Sequence, residues 1–353
     1  MRAMRTFLTI LFLSIFARTL FAAGTMTIYA LDSEGKSLLT IAPSGQTMLE
    51  DLGWTGFGRM PSTTNQVVDS LKALGIKRID FLVISHFDVD HVGDISQLLA
   101  AMPVGHCYDH GEIQLAKEDN PRFAQMAEAS RARYEEYAAA CAKIGRTILK
   151  PGDTIPIKGI DVQVVHAAGK WISKPLPGAG APNPACASDK QAALVPRDLE
   201  DNNSIGLLYT YGKFRYYDAA DMEGHDAYEG VCPINLIGTV DLWAVNTHGQ
   251  SKGYSAAMAS ALKAPVVIEY TDGRMGRGDD PDVWAALHAL PATPDIWLIH
   301  LNPRSGADNS PAPNFIANLP GTDGMKSIRI SAQKSGTFTV TNERTGFSKT
   351  YTK

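Results

Sequence analysis

The chain has 353 residues, of which 44% are hydrophobic and 20% are charged, and its formal net charge is −4. This composition is typical of a globular protein and excludes a disordered or fibrous chain. The near-neutral charge implies no stable nucleic-acid partner, and the length suits one large domain or two ordinary ones.

Residues 1–23 have the pattern of a secretory signal peptide. Two arginines near the start precede an apolar run at 6–17, and small residues at 22–24 suit cleavage. An uncleaved membrane anchor is the alternative interpretation, but the run is short for a membrane span and Arg18 interrupts it. We therefore expect residues 24–353 to form a single mature domain that is periplasmic or secreted and no longer attached to a membrane.

The first part of the mature chain predicts a β-meander followed by a helix. Short apolar runs separated by turns that contain Gly and Ser indicate three strands. Apolar residues at helical spacing, stopped by Gly75, indicate the helix. Asp51 follows the third strand, where it either supports a metal site from behind or closes a turn. The predicted strands are 26–30, 37–42 and 47–49, and the predicted helix is 64–74.

The stretch at 81–94 (FLVISHFDVDHVGD) carries candidate metal ligands directly after a buried strand. Its apolar start predicts a strand at 79–84 that is buried on both faces, and a helix follows at 94–102. Two carboxylates packed closely beside two imidazoles would be unfavourable without a cation, so the stretch predicts bound divalent metal. The four ligand-type residues between the two elements are His86, Asp88, Asp90 and His91.

The remainder of the chain predicts further strands and helices and one long loop. The loop at 167–203 is dense in Pro, Gly, Ala and Asp, and loops of this length usually have a function. Residues 326–353 predict a C-terminal β-hairpin. Strands are expected at 104–108, 160–166, 204–211, 214–219, 240–245, 265–269 and 295–300, and helices at 120–144, 256–262 and 281–290.

Three more ligand-type residues each follow a predicted strand, as the opening group does. They are His110, Asp221 and His248. Because chemistry in α/β layers is placed at the carboxyl ends of strands, all three are candidate metal ligands. His106 and Asp109 compete with His110 for the same role.

Two segments supply candidate substrate contacts. Arg274 and Arg277 lie in a Gly-rich loop after a predicted strand, where a guanidinium can hold a substrate anion, although a solvated loop is the other interpretation. His225 follows Asp221 closely and is a candidate for the lining of the cleft.

Four cysteines, at 107, 141, 186 and 232, can pair in an oxidising compartment. Four cysteines allow three connectivities. Cys186 and Cys232 both lie in segments with Pro and Asn, so we predict a disulfide between them. Four free thiols, mostly buried, are the alternative.

The order His-Phe-Asp-Val-Asp-His (86–91), then Asp221 after a hairpin, then Thr-His-Gly (247–249) resembles the metallo-β-lactamase superfamily. The HxDxDH form of the first motif resembles the ComEC-like branch. This resemblance implies an α/β fold, a four-layer αββα sandwich, with a two-metal site at one edge. It assigns His86, Asp88 and His110 to the first metal, Asp90, His91 and His248 to the second, and Asp221 to both.

The resemblance also implies a metal-dependent hydrolase with two divalent ions, Zn²⁺ or Mn²⁺. A metal-bound hydroxide, oriented by Asp90 and Asp221 as catalytic residues, would attack a phosphorus or a carbonyl carbon. The ComEC-like pattern favours phosphodiesters over other small-molecule substrates. An ester, lactone or β-lactam hydrolase remains open, because fold does not select substrate. Ala220 and Asn246-Thr247 depart from the family pattern and keep a non-catalytic metal- or ligand-binding protein open as well.

Overall fold

The computed structural model describes residues 24–56, 60–115, 120–190, 199–274, 276–321 and 325–353. The predicted signal peptide at 1–23 lies outside them. Among the helices in these ranges, none combines the length and the apolar composition that a membrane crossing requires.

Seventeen strands and six α-helices make up the regular structure of these residues. The first strands are β1 Met26–Ala30, β2 Leu38–Ile41, β3 Thr47–Glu50, β4 Ile79–Val83, β5 Val104–Asp109, β6 Arg146–Ile148, β7 Asp161–Ala167 and β8 Lys170–Trp171. The others are β9 Gly206–Tyr211, β10 Phe214–Asp218, β11 Leu242–Ala244, β12 Val266–Glu269, β13 Asp295–His300, β14 Ile316–Asn318, β15 Ile328–Ala332, β16 Phe338–Asn342 and β17 Ser348–Tyr351. The helices are α1 Thr64–Ala73, α2 Ile95–Ala101, α3 Pro121–Ile144, α4 Gly224–Glu229, α5 Ala256–Leu262 and α6 Pro281–His288.

The strands form two sheets. The first has the order β17-β16-β15-β1-β2-β3-β4-β5-β6, and the second has the order β14-β13-β12-β11-β10-β9-β7-β8. Strands β3 to β6 are parallel to one another, and so are β10 to β14. Each sheet therefore presents several strand carboxyl ends at one edge, which is where α/β proteins place their chemistry.

Three buried apolar clusters define the layers. The central cluster joins the inner faces of the two sheets and includes Phe81 from β4 and Trp297 from β13. The second lies between the first sheet and its helices, with Leu82 of β4 and Leu71 of α1 as members. The third lies between the second sheet and its helices and includes Met258 of α5. The predicted four-layer αββα sandwich is confirmed.

Local sequence explains the elements that lead to the ligand loop. Strand β4 contributes alternate residues to the central cluster and to the outer cluster, so it reads as a continuous apolar run. Helix α2 begins at Ile95 because the Asp94 side chain caps it, accepting a hydrogen bond from the Gln97 N–H at 3.1 Å. In the loop between them, Gly93 has φ +55°, and a Cβ there would lie 2.3 Å from Cβ of Leu52. Glycine at position 93 therefore lets the ligand loop pack closely against Leu52, the residue that follows Asp51.

The elements without a sequence signal are short ones. Strands β6, β8 and β14 have two or three residues, and helix α4 has six. Periodicity over so few residues does not separate a strand or helix from a loop.

The C-terminal segment and the long loop are both attached to the sandwich. Strand β15 pairs antiparallel with β1, and β16 and β17 extend the first sheet beyond it. Within its described residues, 167–190 and 199–203, the long loop at 167–203 contains β8 and two short 3₁₀ helices, at Pro184–Ser188 and Asp201–Asn203. The predicted Cys186–Cys232 disulfide is confirmed, and a second disulfide joins Cys107 to Cys141.

Candidate metal centre

The first group of ligand-type side chains combines both sheets. Asp90 and His91 come from the loop after β4, Asp221 from the segment after β10, and His248 from the segment after β11. Their ligand atoms all lie within 4.8 Å of one another, and all four residues are buried. His248 Nε2 is 3.0 Å from Asp90 Oδ2 and 3.2 Å from Asp221 Oδ2. His91 Nε2 is 3.1 Å from Asp221 Oδ1.

A second group shares one of these residues. His86, Asp201 and Asp221 also have ligand atoms within 4.8 Å of one another, and His86 Nε2 lies 3.7 Å from Asp201 Oδ1. The His86 and His91 rings are 4.0 Å apart between centroids, so the two groups are neighbours. Asp221 belongs to both groups.

Two of the predicted ligands stand apart from these groups. Asp88 Oδ2 is 4.0 Å from His86 Nε2, at the margin of the second group, and its side chain is partly exposed. His110 Nε2 forms a hydrogen bond of 2.8 Å with Glu200 Oε1, and its ring packs on Phe87. Glu200 thus occupies His110 Nε2, and Asp201, not His110, is the third residue of the second ligand group.

Sequence reasoning did not select Asp201, although the topology explains its position. Strand β9 is antiparallel to β10, so the residues that precede β9 lie at the edge where β10 ends. The acidic pair Glu200 and Asp201 closes the long loop just before β9. An acidic residue before an antiparallel strand is the signal that would have identified it.

Hydrogen bonds on the far ring nitrogens orient the imidazoles. His91 Nδ1 bonds Asp51 Oδ2 at 2.9 Å, and His248 Nδ1 bonds the Tyr270 carbonyl oxygen at 2.7 Å. Each bond aims Nε2 into the ligand groups and fixes the tautomer whose Nε2 can bind a cation. Asp51 also accepts hydrogen bonds from the N–H and Oγ of Ser85, both at 2.7 Å. Of the two roles that the sequence left open for Asp51, the structure favours support of the metal site.

Asp90 and Asp221 are ionised at neutral pH. Burial alone would raise the pKa of Asp90, but Arg277 and His91 lower it well below its usual range. Burial would likewise raise the pKa of Asp221, but His248 and His91 lower it strongly. Two buried, ionised carboxylates favour cations, whether protons or metal ions.

The imidazoles differ among themselves. Burial lowers the pKa of His248, but Asp221 outweighs it and raises the value to about 9. For His86, burial and the neighbouring His91 lower the pKa to about 3, so His86 is neutral at pH 7. Only the neutral form of an imidazole binds a metal, so His86 is already in that form and His248 would have to release its proton first.

The residues present fit divalent cations. The Nε2 atoms of His86, His91 and His248 and Oδ2 of Asp90 are buried, and none makes a well-directed hydrogen bond within the part of the chain that the structure describes. Buried polar atoms are normally satisfied, so this convergence requires an explanation. Imidazole nitrogens with carboxylate oxygens are the donor set of Zn²⁺ and also suit Mn²⁺.

Two cationic side chains border the centre. A terminal nitrogen of Arg277 forms an ion pair with Asp90 Oδ2 at 2.8 Å, and Arg277 Nε donates a hydrogen bond to Asp272 Oδ2 at 2.7 Å. Lys252 forms an ion pair with Asp201, on the side of the second group. Both side chains are partly exposed to solvent, so they can meet a molecule that enters the centre.

Two of the three candidate substrate contacts, Arg274 and His225, have other partners. Arg274 Nε is 3.3 Å from Glu34 Oε1, and the Arg274 N–H donates to the same carboxylate at 3.0 Å. Glu34 also belongs, with Asp32 and His300, to a third cluster of ligand-type atoms, in which His300 Nε2 bonds Asp32 Oδ1 at 2.9 Å. His225 lies in α4, 3.8 Å from Glu229. Neither Arg274 nor His225 contributes to the two ligand groups.

One comparison with known proteins covers part of the chain. Residues 45–188, less than half of the chain, match the model of the metallo-beta-lactamase superfamily, whose proteins bind divalent metals and are mostly hydrolases. The predicted resemblance is thus supported over these residues, and the two-sheet, four-layer architecture is the one that the resemblance implies. The ComEC-like branch stays a prediction. The chain has no significant match among curated proteins.

Several solved structures are similar to the chain at low identity. A proposed metal-dependent hydrolase from Parabacteroides distasonis is 15% identical, with a TM-score of 0.40, over 77% of this chain and 92% of that one. The metallo-beta-lactamase fold protein YhfI from Bacillus subtilis is 13% identical, with a TM-score of 0.41, over 69% and 85% of the two chains. A diphosphatase of the PhnP family is 12% identical, with a TM-score of 0.37, over 76% and 94%.

Proposed function

We propose that the chain is a metal-dependent hydrolase that holds two divalent cations and acts on phosphodiester substrates. The observation that supports this most directly is the sharing of Asp221 by two groups of ligand-type atoms. One cation would be held by Asp90, His91, Asp221 and His248, and the other by His86, Asp201 and Asp221, with Asp88 beside it. Zn²⁺ is the better match to this donor set, and Mn²⁺ is the alternative.

The chemistry divides between the cations and the chain. Bound there, two divalent cations would acidify a water molecule and neutralise charge that develops on a phosphoryl oxygen. The buried, ionised carboxylates of Asp90 and Asp221 would accept hydrogen bonds from the attacking water and so orient it. The Asp51 and Tyr270 oxygens hold His91 and His248 in place, so these imidazoles need no rearrangement when substrate enters.

Charge favours an anionic substrate. Arg277 borders the first ligand group and Lys252 borders the second, and both are partly exposed. Guanidinium and ammonium groups on two sides of a centre suit the two non-bridging oxygens of a phosphodiester. A neutral ester or lactone would offer no negative charge to the Arg277 and Lys252 side chains.

We further propose that the mature protein is periplasmic or secreted. The pattern at 1–23 supports export, and two disulfides suit an oxidising compartment. The HxDxDH motif supports a place in the ComEC-like branch, which is also part of the proposal.

The test is purified protein of residues 24–353 supplied with Zn²⁺ or Mn²⁺ and assayed on bis(p-nitrophenyl) phosphate, a lactone and a cephalosporin. We expect metal-dependent turnover of the phosphodiester, which Asp221→Ala abolishes. Asp80→Ala is the matched control, because Asp80 lies in the strand that leads to the ligand loop and bonds Thr47 and Arg78 instead. Turnover of only the cephalosporin or the lactone would refute the substrate class. Two bound metals without turnover of any of the three would favour a non-catalytic protein.

A further inference from the structure

Lys36 is a buried cation at the point where the two sheets meet behind the metal centre. Its residue exposure is 1%, although lysine is almost never fully buried without partners. Its Nζ lies 3.4 Å from Asp51 Oδ2 and 3.1 Å from Asp218 Oδ1, and it also donates to Glu50. Glu50 ends a strand of the first sheet and Asp218 ends a strand of the second, so one ammonium group joins both sheets.

One link from Lys36 leads to His91. Asp51 Oδ2, which faces Lys36 Nζ, also takes the hydrogen bond from His91 Nδ1 at 2.9 Å. The position of that oxygen sets the direction of the His91 ring and so of its Nε2.

A second link leads to Asp221. The Ala220 N–H donates to Asp218 Oδ1 at 3.0 Å, the same oxygen that faces Lys36 Nζ. Ala220 has φ +47°, a left-handed conformation that costs energy for alanine and so needs support from its surroundings. Its carbonyl oxygen accepts from the Thr247 N–H at 2.8 Å, directly before His248. The turn that presents Asp221 and the segment that presents His248 therefore both depend on Asp218.

A third link is made by the backbone. The Lys36 N–H donates to the carbonyl oxygen of Asp90 at 3.0 Å. The preceding residue, Gly35, approaches the same carbonyl so closely that a Cβ there would lie 2.2 Å from it. Lys36 is thus linked to Asp90 by one hydrogen bond, to His91 through Asp51, and to Asp221 through Asp218 and the backbone of Ala220.

We infer that Lys36 is a positioning residue for the metal centre: its ammonium group holds Asp51 and Asp218 together and thereby keeps His91 and Asp221 at coordinating distance across the two sheets. The inference rests on the proposed metal centre. It predicts that loss of the ammonium group weakens both cation sites, because Asp221 serves both.

Glu50 is the third carboxyl partner of Lys36. Burial raises the pKa of Glu50 to about 8 although Lys36 opposes the shift. Glu50 has its own partner in the Tyr209 hydroxyl, which donates to Oε2 at 2.7 Å.

The experiment compares Lys36→Met with Tyr209→Phe in the protein of residues 24–353. Methionine keeps the length and removes the charge, whereas Tyr209→Phe removes a buried hydrogen bond of the same network on the side that touches no ligand. The double variant Lys36→Met/Glu50→Gln removes the Glu50 carboxyl group together with the Lys36 ammonium group. The readouts are Zn²⁺ affinity by competition with a chromophoric chelator and the visible spectrum of the Co²⁺ form.

We expect Lys36→Met to lose about 10–100-fold in Zn²⁺ affinity, the range for partners that orient metal ligands, and to change the Co²⁺ spectrum. Tyr209→Phe should stay within about twofold of the parent, since it leaves both links intact. Parent-like affinity and spectrum in a folded Lys36 variant would overturn the inference and leave the proposed centre untouched. Equal losses in Lys36→Met and Tyr209→Phe, or failure of both Lys36 variants to fold, would make Lys36 a general stability residue and overturn it too. A parent protein that binds no metal would refute the centre itself.

Discussion

Replacing Asp51 by asparagine changes one buried acceptor into a donor and should disable His91 as a ligand. Asp51 Oδ1 is held by the Ser85 N–H at 2.7 Å, so the amide oxygen of asparagine takes that place. The amide nitrogen then occupies the position of Oδ2, where it faces His91 Nδ1 and the Lys36 ammonium. Two donors cannot bond each other, so His91 must place its proton on Nε2, the atom that points into the centre.

The size of the effect follows from the loss of one oriented ligand. Loss of a partner that orients a metal-bound histidine costs about 10–100-fold in metal affinity, which corresponds to about 1.4–2.8 kcal/mol. The side chain of Asp51 is fully buried, so solvent cannot replace the lost acceptor. We therefore expect Asp51→Asn to bind the metal of the first ligand group at least tenfold more weakly.

The assay is Zn²⁺ competition against a chromophoric chelator at pH 7.5, with Asp109→Asn as the matched control. Asp109 is also fully buried, but its carboxylate bonds Arg146 and Tyr137 and contacts none of the ligand atoms. The control should lose stability and keep its metal affinity. Asp51→Asn with an affinity within twofold of the parent would refute the claim that Asp51 sets the tautomer of His91.

Three more predictions concern substrate, stability and pH. Arg277→Ala should lower kcat/KM for bis(p-nitrophenyl) phosphate by about 10–100-fold, as loss of a hydrogen bond to a charged group implies. It should change kcat/KM for a neutral ester little. Equal effects on both substrates would argue against contact between Arg277 and the phosphodiester. Replacing Cys186 and Cys232 by Ser removes their disulfide and should lower the free energy of unfolding, measured by urea titration, by about 4 kcal/mol. This magnitude follows from the chain-entropy relation for a sequence separation of 46. A urea midpoint equal to that of the parent would contradict it. Burial lowers the pKa of His166 to about 4, so the unfolded chain binds this proton first and stability falls as pH drops from about 6.5 to 4. His166→Gln should remove up to about 3 kcal/mol of that pH dependence, and an unchanged slope of unfolding free energy against pH would refute the shift.

Much of the fold was predictable because its signals are local. The apolar run of β4, the alternation of the later strands and the helical spacing in α1 and α3 each extend over five or more residues. The positions of Asp90, His91, Asp221 and His248 followed as well, because each comes directly after a strand of a parallel set. The carboxyl ends of parallel strands meet at one edge of the sheet, whatever side chains the strands carry.

The rest depended on contacts that no local pattern encodes. His110 also follows a strand, but a carboxylate 90 residues away, on Glu200, holds its ring outside the ligand groups. Asp201 enters the centre only because β9 runs antiparallel to β10. Two arginines lie in one Gly-rich loop, but Arg277 pairs with Asp90 and Arg274 pairs with Glu34. The conformation of the loop decides which of them reaches the centre. The role of Lys36 required both sheets to be in place.

Anomalous X-ray diffraction from crystals of residues 24–353 grown with Zn²⁺ would locate the proposed cations directly. We expect two peaks about 3.5–4 Å apart, one on each side of the Asp221 carboxylate. His248 should bind the first ion and His86 the second. A single peak, or peaks that do not share Asp221, would contradict the two-metal centre.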